Sequence, residues 1–211
     1  MTASVTRLNC LAALHPKTSA EWHSTKNGTL TPWDFMPGSN RKVWWQCPVA
    51  EDHTWLARIS LRTTKESPRG CPCCSNRKIS ESNCLATTHP ELITEWHPTK
   101  NGTFTPWDVV AGSHHKAWWK CPAAEDHEWS ARVSFRTRKE LPRGCPCCSG
   151  RNVVKSNCLA TIHPALITQW HPTKNGTLTP WDVVPGSNSK IWWQCPVAKD
   201  HEWAAQVCRR T

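Results

Sequence analysis

No tyrosine occurs in this sequence of 211 residues, and only three phenylalanines and two methionines do. Tryptophan, with 15 copies, therefore carries almost all of the aromatic surface. No apolar run is long enough to cross a bilayer, which removes a membrane-spanning helix from the expected elements. No apolar leader is expected either, because the phase of a long internal repeat already runs through Leu8 to Leu14, and no low-complexity linker separates the copies. The expectation is a soluble array of closely spaced units. An even cysteine count is also missing, so the 13 thiols cannot all pair. With no leader expected, the odd count favours metal ligation in an intracellular chain over a secreted disulfide framework. Carboxylates are scarce, 16 against 26 Lys and Arg, giving a formal charge of +10 and an isoelectric point near 9.1. Such a surplus points to an anionic partner. No nucleophile beside a base, no paired acid and base and no open metal position stands at a usable spacing, so the chain is not read as an enzyme.

What is present is repetition. A segment of 74 residues recurs without a gap, so that Cys10 returns as Cys84 and Cys158, and Cys47 as Cys121 and Cys195. The copies delimit modules at 8–81, 82–155 and 156–211, the third stopping before the last cysteine cluster. Modules of this size cannot hold a generous core and need a staple. Each opens on a short helical signal, clearest from Thr88 to Trp96, with Pro90 in the first turn and Leu92 and Trp96 on one face. In the first copy Thr18 and Ser19 replace leucine and isoleucine and weaken it. The Asn-Gly pairs at Asn27, Asn101 and Asn175 read as turns, not as glycosylation acceptors, in an intracellular chain.

A hairpin follows in each copy. Lys42 to Cys47 reads as one strand and Thr54 to Arg62 as its partner, with Trp55, Ala57, Ile59 and Leu61 on a core face and Arg58, Ser60 and Arg62 on a basic one. The second copy repeats this with Trp129, Ala131, Val133 and Phe135 opposite Arg132, Ser134 and Arg136. In the third copy Arg209 falls where Leu61 and Phe135 sat, which predicts a spoiled last strand. Adjacent tryptophans on one strand face opposite ways, so Trp44 and Trp45 cannot both enter the core, and one of them offers a stacking surface.

The chemistry lies in the cysteines and one histidine per copy. Cys47, five intervening residues, His53, seventeen more and then Cys71-Pro72-Cys73-Cys74 give two ligand pairs separated by a strand and a basic loop. This is zinc spacing. The expected ligands are Cys47, His53, Cys71 and Cys74 in the first site and Cys121, His127, Cys145 and Cys148 in the second. With all four positions filled by protein, each Zn2+ is structural and not hydrolytic. The third copy offers Cys195 and His201 without a second pair, so two complete sites are counted. Cys73 and Cys147 read as spectators, and Cys10, Cys84 and Cys158 as small buried residues. His15, His89 and His163, with His23, His97 and His171, read as capping or surface histidines.

Pro-Glu-Leu-Ile-Thr-Glu-Trp-His-Pro-Thr-Lys-Asn, the Lys-Ala-Trp-Trp-Lys-Cys strand, His-Glu-Trp and Arg-Gly-Cys-Pro-Cys-Cys together resemble the zinc-ribbon (treble-clef) domain family, over nearly the whole chain. The resemblance implies small α+β zinc-stabilised modules in tandem, of largely unassigned function and in some proteins fused to nuclease or helicase domains. It places the ligands on the same eight residues. Two departures stand out: the family's glycine before the histidine is Asp52, Asp126 and Asp200 here, and its Asn-Ser-Leu is Asn-Cys-Leu.

The functional expectation is a non-catalytic structural-zinc repeat protein that binds RNA or DNA with little sequence specificity, through Arg58, Arg62, Arg132 and Arg136 on its strands. No recognition helix or base-reading code is visible. The alternative is a protein-protein interaction scaffold.

Overall fold

The computed structural model describes residues 4–66 and 68–211. Each copy builds the same sequence of short elements: a helical turn after the Asn-Cys pair, a proline-led turn, a Thr-Pro-Trp-Asp turn and an antiparallel hairpin that ends in one more helical turn. The hairpins are β1 (Lys42–Gln46) with β2 (Thr54–Arg58), β3 (Lys116–Lys120) with β4 (Glu128–Arg132), and β5 (Lys190–Gln194) with β6 (Glu202–Gln206). No helix is long and apolar enough to cross a membrane among the described residues.

Two compact units form. One holds residues up to Pro90 together with Thr105–Ala111, and the other holds Glu91–Phe104 and Gly112–Thr211. The first unit thus contains the first hairpin and the opening of the second copy, whose helix Leu85–Thr88 is held by the Leu85 N–H donating to Val109 O at 2.6 Å. The second contains the second hairpin and the whole third copy.

Tryptophan makes the core of every module. Trp45, Trp119 and Trp193 are fully buried, each meeting Trp22, Trp96 or Trp170 edge-on at 5.2–5.6 Å between ring centroids. Burial of an indole requires a partner for its N–H, and each of the three donates across the hairpin, to the carbonyls of Ala57, Ala131 and Ala205 at 3.1–3.2 Å. Strand alternation turns the neighbouring Trp44, Trp118 and Trp192 outward, where Trp118 and Trp192 are 38% and 40% exposed. The Asn-Gly turn has a second task. Gly28 takes φ +62°, and Asn27 then clasps the outer edge of β1 beside the bridge from Trp22 to Trp45, accepting from the Trp44 N–H at 2.8 Å and donating to its carbonyl at 2.9 Å. Asn101 and Asn175 do the same for Trp118 and Trp192, which satisfies edge groups that would otherwise invite another strand.

The strand expected to run to Arg62 stops at Arg58. Residues Ile59–Thr63 form a helical turn, as do Val133–Arg136 in the second copy. The period changes from two to about 3.6 residues there, so Ile59 and Arg62 share one face and both are buried. Arg62 and Arg136 are therefore not on a basic strand face. The Arg62 guanidinium lies over Trp45 and Trp55 at 5.0 and 5.1 Å and pairs with Glu21 at 2.6 Å, and Arg136 does likewise with Trp119, Trp129 and Glu95. The same correction applies to the third copy. Arg209 sits in a one-turn helix, Val207–Arg209, while Arg210 takes the inward place over Trp193 and Trp203 and donates to Gln169.

Neutral Gln169 replaces the glutamate of the other copies, and β6 has no buried residue, whereas Trp55 and Trp129 are 6% and 7% exposed in their strands. Amide hydrogen exchange should consequently be faster over Trp203–Val207 than over Trp129–Val133. Equal protection of the two segments would contradict this ordering.

Candidate metal centres

The hairpin brings the first ligand pair together. Its turn closes with the Cys47 N–H donating to His53 O at 3.0 Å, which sets a thiol and an imidazole side by side at the open end of β1 and β2. The Cys-Pro-Cys-Cys segment supplies the opposing pair: the Cys74 N–H points at Cys71 Sγ at 3.5 Å, the turn that lets two thiols separated by two residues face one point. The ligand atoms of Cys47, His53, Cys71 and Cys74 lie within 4.8 Å of one another, and so do those of Cys121, His127, Cys145 and Cys148.

The separations test which group fits. Cys47 Sγ is 3.6 Å from Cys74 Sγ, too far for a disulfide, and His53 Nδ1 is 3.5 and 3.8 Å from Cys74 Sγ and Cys71 Sγ. The second cluster repeats these values at 3.7, 3.4 and 3.7 Å. A tetrahedral ion with metal–sulfur bonds of about 2.3 Å and metal–nitrogen bonds of about 2.0 Å requires edges of about 3.8 Å between sulfurs and about 3.5 Å between sulfur and nitrogen. Three of the six separations in each cluster match the edges of such a tetrahedron and the rest stay within 4.8 Å, and three thiols with one imidazole are a donor set that suits structural zinc. Cys74 and Cys148 are exposed as residues, yet their sulfurs turn toward the other ligands. Desolvation there, followed by hydrogen bonding among the thiols, pushes both up to about 12. A bound dication reverses that balance by favouring the thiolates, and binding releases their protons.

Other sequence-predicted residues fall as follows. Cys195 and His201 share the hairpin turn, with the Cys195 N–H donating to His201 O at 2.9 Å, but His201 is exposed and no second pair joins them among the described residues. Cys208 instead donates to Asn188 Oδ1 at 3.4 Å. Cys73 and Cys147 are buried outside the ligand clusters, and Cys10, Cys84 and Cys158 are buried at 0–1% exposure. His23, His97 and His171 are not surface residues: they are buried, and each Nδ1 accepts backbone N–H groups of the following turn. Arg58 and Arg132 end β2 and β4 on exposed positions, directly opposite Lys42 and Lys116.

Sequence reasoning missed the surroundings of the histidine. Asp52 and Ser82 form a bonded group with His53: the Ser82 N–H donates to Asp52 Oδ2 at 2.8 Å, its hydroxyl lies 2.7 Å from Asp52 Oδ1, and its Oγ is 2.9 Å from His53 Nε2. These bonds, the backbone one first, hold the Asp52 carboxyl below its usual range. The signal was present in the aspartate standing where the resembled family has glycine.

Short helical turns and three tryptophan-cored hairpins, the first two of them each carrying a Cys3His cluster spaced for a metal ion, define a zinc-finger-like module of the treble-clef type. The chain belongs to the family described as "Probable Treble clef zinc finger domain", whose family model matches residues 18–77, 92–151 and 166–211. Comparison with curated proteins returned no match.

Proposed function

We propose that the array is a non-catalytic nucleic-acid-binding protein, with zinc holding each basic hairpin in shape. The observation that carries this reading is a groove of about 620 Å³ on the outer face of β1 and β2, lined by Lys42, Trp44, Arg58, Arg69, Arg77 and Lys78, with no carboxylate among its described lining residues. Lys42 and Arg58 are cross-strand partners, an arrangement that repels. A groove of about 800 Å³ lies at the same place on β3 and β4, lined by Lys116, Trp118, Arg132, Arg143 and Arg151 and by one carboxylate, Glu128, which pairs with Lys100. Lys116 again opposes Arg132, and the guanidinium groups of Arg132, Arg138 and Arg143 gather within 4.7–5.9 Å of the Phe135 ring. Unpaired cations around an outward indole suit a phosphate chain whose bases stack. The third hairpin has Gln206 opposite Lys190 and should contribute little.

Fluorescence-anisotropy titrations against single- and double-stranded oligonucleotides over a range of salt test the reading. Replacing Arg58, Arg69, Arg132 and Arg143 with Ala should leave the zinc content intact, weaken binding on every sequence and flatten the salt dependence by roughly 0.7–0.9 per lost phosphate contact. Absence of wild-type binding at low salt would reject it. Protein scaffolding would then take its place, a reading favoured by Trp33, Trp107 and Trp181, which stand 52–56% exposed on their turns.

A further inference from the structure

The histidine of the first metal centre is held from outside its own repeat. Ser82 opens the second copy, yet it meets His53 and Asp52 of the first, all three within one compact unit. The hydrogen-bond roles in this trio follow from the chemistry. Asp52 carries only acceptors when ionised, so the Ser82 hydroxyl donates to its Oδ1, and the Ser82 oxygen is left to accept. His53 must then donate from Nε2, which puts its proton there and leaves Nδ1 as a bare lone pair. Nδ1 is the atom that faces the sulfurs of Cys71 and Cys74.

We infer that Ser82, supported by Asp52, and Ser156, supported by Asp126, are positioning residues of the two metal centres, so that each centre is completed by the first residues of the repeat that follows it. The inference rests on the zinc reading of the Cys3His clusters. A carboxylate–hydroxyl–imidazole chain of this kind fixes both the tautomer and the ring orientation of a metal-binding histidine. At the second centre the Ser156 N–H repeats the bond to Asp126 Oδ2 at 2.8 Å. The remaining atoms of the trio, Ser156 Oγ, Asp126 Oδ1 and His127 Nε2, are buried there without partners. They are the same atoms that pair around His53, and rotation of the Ser156 side chain about its Cα–Cβ bond is the change that would join them. The hydroxyl is not demanded by the repeat itself, since the equivalent position of the first copy is Leu8, 86% exposed. The functional unit therefore straddles the repeat boundary: a hairpin excised at residue 81 keeps all four ligands but loses the group that aims one of them.

The test uses the full chain. Wild type, Ser82→Ala, Ser82→Thr and Ser156→Ala are titrated with Zn2+ against a chromophoric chelator, and loaded with 113Cd2+ so that each centre gives its own resonance. Ser82→Ala should weaken the first centre by roughly 10- to 100-fold and leave the second alone, and Ser156→Ala should do the reverse. Ser82→Thr, which keeps the hydroxyl, should restore the first centre. Long-range 1H–15N spectra should find the His53 proton on Nε2 in wild type. Wild-type affinity in both alanine variants, equal loss in Ser82→Thr and Ser82→Ala, or ligation through Nε2 would each overturn the inference while leaving the zinc reading intact. Absence of any bound ion in wild type would overturn both.

Discussion

Replacing Cys71 and Cys145 with Ser together is expected to take bound zinc from two ions per chain to none and to unfold both metal-bearing hairpins. Each cluster holds its four ligands within 4.8 Å of one another, and each hairpin core is built around a single fully buried tryptophan with few aliphatic neighbours. Apparent binding energies of structural zinc in finger peptides are about 10–16 kcal/mol, larger than the stability such a small core can supply alone. Metal counting by mass spectrometry with circular dichroism of the same samples reads both effects. Retention of two ions in the double variant would refute the ligand assignment, whereas Cys73→Ser should leave the count at two because that sulfur lies outside the cluster. The direction with pH follows from the thiols. Cys74 and Cys148 are pushed up to about 12 without a cation, so the ion must displace protons to bind, and affinity should fall as pH falls.

Arg62→Ala and Arg136→Ala are each expected to destabilise the zinc-loaded protein by about 3 kcal/mol, the lower end for breaking a buried ion pair because Glu21 and Glu95 keep 26% and 25% of their side chains exposed. The loss includes the guanidinium stack between two indoles, which anchors the helical turn against the hairpin core. Because the two arginines share no partner, their effects should add in the double variant. Chemical denaturation in the presence of zinc measures this. An effect below 1 kcal/mol would mean that the pair and stack contribute little. Nucleic-acid affinity measured on the still-folded variants should change less than for Arg58→Ala, since neither buried guanidinium can reach a phosphate.

The gathering of the Cys and His side chains and the outward tryptophans were legible in the sequence because they depend on short-range geometry. A turn of five residues between Cys47 and His53, and two residues between Cys71 and Cys74, leave few ways to arrange the donors. Alternation along one strand sends Trp44 and Trp45 to opposite faces whatever surrounds them. The fate of Arg62 was not legible in this way. The local alternation from Thr54 to Arg62 reads as a strand throughout, and the helical turn at Ile59–Thr63 is held by contacts of Arg62 with the Trp45 and Trp55 rings and with Glu21, which stands 41 residues earlier. The hydroxyl beside His53 comes from 29 residues later, in the next copy of the repeat. Spacing along the chain therefore determined which side chains can hold a metal. Only the tertiary structure decided which arginines face solvent and what aims the histidine, because those outcomes depend on burial and hydrogen-bond partners that the chain supplies from a distance.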